Sequence, residues 1–160
     1  MSGHAGVPAE LSAQVAWLVD RARISDLLHS YARCVDTKDW DGFVANFTAD
    51  AVLEYPWEGE WSRHEGQAGL AEKLDRSFSR YHATQHMSSN HQISIDGDTA
   101  RSTSYLHSSH IRSAEDQQDH WDVGGWYHCE YVRTAEGWRF THLVLEAVWQ
   151  TDGVADILEA

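Results

Sequence analysis

Basic residues are scarce in this chain, and cysteine is scarcer still. Twelve Lys and Arg stand against 25 Asp and Glu, for a formal net charge of −13. So few cations cannot neutralise a phosphate backbone, so neither nucleic acid nor an anionic membrane is expected as a partner. There are only two cysteines, Cys34 and Cys129, without a CxxC spacing. No disulfide framework is suggested, and a reducing cytoplasm is the expected compartment. No apolar run approaches bilayer-spanning length. Residues 1–10 lack a basic region followed by an apolar stretch, so no secretory leader is expected. Neither a glycine-rich phosphate loop nor a serine nucleophile elbow occurs, and no cofactor is implied.

Aromatic side chains, by contrast, are plentiful: eight Trp, six Tyr and four Phe among 160 residues. At this density they either fill an ordinary core or line a small-molecule pocket. The length suits one domain over residues 1–160, with a core over about 11–150 and a tail at each end.

Apolar residues at helical spacing predict a first helix over residues 11–35, with Val15, Leu18, Ile24, Leu27, Leu28, Tyr31 and Val35 on one face. Asp20, Arg21, Arg23 and Asp26 fall on the other. Asp39 is a natural N-cap for a short second helix over residues 40–47. The period then changes. Residues 51–57 read as a strand, a turn at Glu58-Gly59-Glu60 leads into a second over 61–64, and residues 69–80 form an amphipathic third helix. Strands follow over residues 83–95, 99–113, 120–134 and 138–150, the first pair joined by the turn Asp96-Gly97-Asp98. Asn90 and His91 read as bulge or sheet-edge residues, and Gly124-Gly125 as a bend in mid-strand. Helices followed by long hairpin-linked strands give an α+β class: a cone-shaped barrel of about three helices on a strongly bent, mostly antiparallel sheet.

The sequence carries Tyr31-Ala-Arg-Cys-Val-Asp36, then Lys38-Asp-Trp-Asp41, then Phe47-Thr-Ala-Asp-Ala-Val52. Further on come His86 to Asn90, Ile95-Asp-Gly-Asp-Thr-Ala100 and Gly137-Trp-Arg-Phe140. In this order the motifs resemble the SnoaL-like group of the nuclear-transport-factor-2-like superfamily, and scytalone dehydratase and hexachlorocyclohexane dehydrochlorinase within it. The resemblance implies that Asp36, at the end of the first helix, holds His86 on the first long strand. His86 then takes a proton from a substrate carbon. The implied function is a cofactor-independent lyase of the dehydratase kind, acting on a small apolar cyclic molecule of polyketide or steroid type. A polyketide-type cyclase or isomerase, or a non-catalytic ligand-binding or assembly module, are the alternatives on the same scaffold. The resemblance also implies a homodimer or homotrimer. A serine that the dehydratase carries on the following strand is replaced near Gly125.

The chemistry agrees with that implication. A neutral imidazole is the natural base near neutral pH, and a buried carboxylate fixes its tautomer and stabilises the cation it becomes. His82 and His86 lie too far apart on a strand, about 13 Å, to share a metal ion. His107 and His110 compete as the second histidine. Alternation groups His110 with Leu106 and Ser108, and His107 with Tyr105 and Ser109. His110 is taken as the polar partner, and Tyr31 either donates its hydroxyl to a substrate carbonyl or packs as a helix aromatic. Tyr55, Trp57, Phe78, His82, His107, Trp126 and Tyr127 are the expected walls of the substrate pocket. Cys129 lacks a base partner and is not expected to be a nucleophile.

Overall fold

The structure is a computed structural model and describes residues 7–57 and 60–151. Three helices come early: α1 (Leu11–Thr37), α2 (Trp40–Ala45) and α3 (Leu70–Phe78). Six strands follow or interleave: β1 (Phe47–Trp57), β2 (Glu60–Glu65), β3 (Ala83–Asp96), β4 (Thr99–Ile111), β5 (His120–Thr134) and β6 (Gly137–Gln150). They form one sheet in the order β2-β1-β6-β5-β4-β3. Only β1 and β6 pair in parallel; the other neighbours are antiparallel. The sheet curls without closing, and the helices cover its hollow face. The expected elements are all present. Phe47, expected at the end of α2, instead opens β1, and the turn residues Glu58 and Gly59 lie outside the described residues.

The core fills the hollow face. Ile24, Leu28 and Val35 of α1 meet Phe43, Phe47, Tyr127, Phe140 and Leu143, all nearly or fully buried. Bulges bend the long strands, as expected at two of the places. The β3–β4 register shifts between Ser89 and Gln92, around Asn90 with its φ of 56°. The β5–β6 register shifts between Gly124 and Gly125. A Cβ on Gly125 would stand 1.9 Å from the Glu146 carbonyl oxygen, so the strands approach more closely there than any side chain allows.

Two expectations for α1 are corrected. Val15 and Leu18 are 53% and 57% exposed, because the first turns of the helix run past the sheet. Asp20, assigned to the solvent side, is buried at 8% exposure. It accepts two bonds from the Arg133 guanidinium, at 2.6 and 2.8 Å, and one from Trp138 Nε1 at 3.0 Å. Arg133 also reaches Asp98 in the β3–β4 turn. A bidentate Arg–carboxylate pair is the geometry in which a buried ion pair is best compensated. It fastens α1 to the far end of the sheet.

At its other end α1 stops in a Schellman motif. The N–H of Asp39 bonds to the Cys34 carbonyl and that of Lys38 to the Val35 carbonyl, with Lys38 left-handed at φ 57°. Lys38 Nζ then donates to the Tyr81 carbonyl at 3.1 Å. This ending points Asp36 at β3. Asp39 caps α2 through the Gly42 N–H, as its position suggested.

Candidate active site

β3 alternates, so Thr84, His86 and Ser88 share the hollow side, while Gln85 and Met87 face outward. Asp36 meets the first two. His86 Nδ1 lies 2.6 Å from Asp36 Oδ1, and the His86 backbone N–H donates to Oδ2 at 2.8 Å. The Thr84 hydroxyl donates to Oδ1 at 2.9 Å. A carboxylate only accepts, so the ring proton of His86 sits on Nδ1 and Nε2 keeps its lone pair. The His86 side chain is only 7% exposed. Its ring is held edge-on against Phe78 and His110, with centroids 5.9 and 5.3 Å away.

A cavity of about 440 Å³ opens in front of this pair. Its volume falls in the usual range for small-molecule sites. Its walls are chiefly apolar: Tyr55, Phe78, Trp121, Val123, Leu143 and Leu145. Trp61 and Arg80 also line it. Glu146 lines it as well, but its carboxylate turns away to bond His128 Nε2 at 2.9 Å.

Beside His86 stands His110, 4% exposed. Its ring stacks flat on Trp121, 4.0 Å between centroids and 6° between planes. Tyr81 and Phe78 close on it from other sides. Burial first, then the charge that His86 acquires, pushes the His110 imidazole down to about 3. The other charges acting on it, Arg80 and Arg112, are also cationic. His110 is therefore neutral throughout the physiological range, a hydrogen-bonding group rather than an acid.

Tyr31 lies on the cavity floor, packed on Phe43 and Tyr127 with centroids 5.0 and 5.4 Å away. Burial pushes its phenol far above the ordinary range. Tyr127 stands behind it, 1% exposed, in the core rather than on the cavity surface.

The structure thus brings Asp36, His86, His110, Tyr31, Tyr55 and Phe78 to one place. Besides Tyr127, three expected walls lie elsewhere. His107 is on the outer face of β4, against Trp149 at 5.7 Å, because odd positions of that strand point away from the core. Trp126 also faces outward, where it packs on Tyr105 at 4.4 Å. His82 precedes β3 and is exposed, away from the lining. Trp57 ends β1 with its side chain outside the described residues. Sequence reasoning passed over Thr84, Tyr81, Ser108 and Trp121. Thr84 was within its reach, two residues before His86 on the same face. Trp121 was not, because its place beside His110 depends on the β4–β5 register, in which the two are directly paired.

Comparisons with known proteins agree with this architecture. An uncharacterised protein of Mycobacterium tuberculosis, Rv2910c, is 31% identical over 134 residues, covering 81% of this chain and 86% of its own length. The crystal structure of the Kfla4162 protein from Kribbella flavida is 30% identical, with a TM-score of 0.80 over 90% of this chain and 99% of that one. The hexachlorocyclohexane dehydrochlorinase LinA-type3 from Novosphingobium barchaimii shares the fold. Its TM-score is 0.73 at 20% identity, over 86% of this chain and 92% of its own. The family model described as the SnoaL-like domain matches residues 17–144, and the chain belongs to that family, with the nuclear-transport-factor-2-like fold.

Proposed function

We propose that the protein is a cofactor-independent lyase that removes a proton from carbon in a small, apolar, cyclic substrate of polyketide or steroid type. The observation that carries this reading is the 2.6 Å contact between His86 Nδ1 and Asp36 at the edge of an apolar cavity. His86 Nε2 takes the proton. Asp36 holds the ring in the Nδ1–H tautomer and stabilises the imidazolium that forms. Electrons from the broken C–H bond form a carbon–carbon double bond, and either a neighbouring group departs with its electron pair or a carbonyl receives the charge. Tyr31 and His110 supply polar contacts. A cyclase or isomerase would use the same base on a different substrate.

The reading is tested by solvent deuterium exchange and elimination across a panel of bicyclic ketones, some bearing leaving groups, followed by NMR. The expected result is exchange or elimination with the wild type, reduced by about 10²–10⁴ in His86→Gln, the usual contribution of a positioned base. Tight binding with no exchange or elimination for any ketone would show a ligand-binding module instead.

The outer sheet face suits self-association into the proposed homodimer or homotrimer. Met87, His107, Gly124 and Trp149 pair in one row across four strands, with Met87 46% and Trp149 50% exposed.

A further inference from the structure

The cavity holds one hydroxyl whose surroundings differ from the rest. Tyr81 lies between α3 and β3, lines the cavity and is only 5% exposed. Its oxygen accepts the indole N–H of Trp121 at 3.1 Å. That contact occupies the oxygen as an acceptor, and among the described residues no acceptor receives the phenol's own proton. The ring is fixed on several sides. Its backbone N–H bonds to the Phe78 carbonyl at 3.1 Å, and its carbonyl receives Lys38 Nζ. The Arg80 guanidinium lies over the ring at 5.1 Å, and His110 stands edge-on at 5.1 Å.

An O–H group that accepts a bond from an N–H becomes a stronger donor in its turn, because chained hydrogen bonds polarise one another. A buried donor without a partner is costly, and a rigid one aimed at a cavity is what a developing oxyanion requires. The rings of Tyr81, His110 and His86 follow one another at 5.1 and 5.3 Å, and all three line the same cavity.

We propose that Tyr81, backed by Trp121, is a catalytic residue that donates a hydrogen bond to the substrate's carbonyl oxygen, and that the site accordingly takes cyclic ketones. This rests on the reading of His86 as the base. The step balances without a co-reactant. The α-proton passes to His86 Nε2, the C–H electron pair becomes the carbon–carbon π bond, and the carbonyl π pair moves onto oxygen. The Tyr81 proton stays on its own oxygen and bridges to the new oxyanion. Trp121 acts through Tyr81 and is a positioning residue.

The test uses β-tetralone labelled with carbon-13 at its carbonyl. Difference infrared spectra of the bound ketone are expected to show a lowered carbonyl stretch in the wild type and in His86→Gln. The stretch should return toward its apolar-solvent position in Tyr81→Phe and lie between the two in Trp121→Phe. Deuterium exchange should fall about 100-fold in Tyr81→Phe, the loss typical of one oxyanion donor, with KM little changed. If Tyr81→Phe keeps both the wild-type stretch and the wild-type rate while His86→Gln loses exchange, the assignment of Tyr81 is overturned and the base stands. If His86→Gln exchanges at the wild-type rate, the reading beneath it fails. Bound ketone with no carbonyl shift in the wild type, or a ketone panel that does not bind, also overturns the assignment. The Trp121→Phe variant leaves the phenol in place, so the graded shift holds as a test even if Tyr81→Phe folds poorly.

Discussion

Replacing Asp36 with Asn changes one atom and sets three donors against a group that can no longer satisfy them. The carboxylate receives the Thr84 hydroxyl, the His86 backbone N–H and the His86 ring N–H, at 2.9, 2.8 and 2.6 Å. An amide offers one acceptor oxygen and two N–H donors. If the oxygen stays with the ring, the amide N–H faces the His86 backbone N–H. A buried donor then goes unpaired, at a cost of about 1–3 kcal/mol. If the amide flips, its N–H faces Nδ1, which must then accept. The ring proton moves to Nε2, and the nitrogen at the cavity loses its lone pair. A wrong tautomer of this kind costs a hydrolytic triad about 10⁴ in turnover, and a loss of about 10³–10⁴ in proton abstraction is expected here. Nitrogen-15 NMR of the His86 ring reads the tautomer directly, and urea denaturation reads the stability. An Asp36→Asn variant that keeps the Nδ1–H tautomer and loses less than about tenfold in exchange would refute this reasoning.

Thr84 contributes a single hydroxyl bond to the same carboxylate, so Thr84→Val should slow exchange by about tenfold, near one net hydrogen bond, and Thr84→Ser should restore it. Equal rates in the three proteins would remove Thr84 from the site. Acid stability has two phases. His110, pushed down to about 3 from 6.5, stays neutral in the fold while the unfolded chain takes up a proton. Stability therefore falls as pH drops from about 6.5 toward 3, and urea midpoints for His110→Phe should decline less over that window. Asp20 is held below its ordinary value of 3.8, first by its bond from Arg133, so its contribution is present above that pH and is lost as the carboxylate protonates in the fold. Asp20→Asn should lower stability at neutral pH and flatten the steepest acid limb. Gly125→Ala drives a methyl into the Glu146 carbonyl and should cost about 1–3 kcal/mol, whereas Gly124→Ala meets only the movable Trp149 ring and should cost less, as thermal melts would show.

Much of this arrangement was legible from local pattern. The turn at Asp96-Gly97-Asp98 and the paired glycines act over a few residues, and each appears where the sequence puts it, whereas the change of period comes earlier than expected, with Phe47 already in β1. The Asp36–His86 contact was legible only through family resemblance, because 50 residues separate the partners. What local pattern misses depends on register or on the ends of elements. Alternation separated His107 from His110 into opposite faces but could not say which face was inside; the buried partners of His110 across β4 and β5 decide it. Trp126 was read as a wall because it is large and apolar, yet its strand turns it outward onto Tyr105. Val15 and Leu18 obey helical periodicity in a stretch of helix that has no sheet beneath it. Asp20 breaks the pattern because its partners, Arg133 and Trp138, are over 110 residues away.

Lys38 joins two tasks that chains usually keep apart. It occupies the left-handed position where glycine is usual, and its side chain ties the end of α1 to the carbonyl of Tyr81. The span between the end of α1 and the cavity wall at Tyr81 is thus gauged in part by this side chain, as the jaw setting of a calliper is fixed by its screw. A glycine there would relieve a strain of about 1 kcal/mol in the backbone and at the same time release the jaw. Stability and precision of the site would then move in opposite directions: a protein that melts no lower, but whose cavity no longer holds one width.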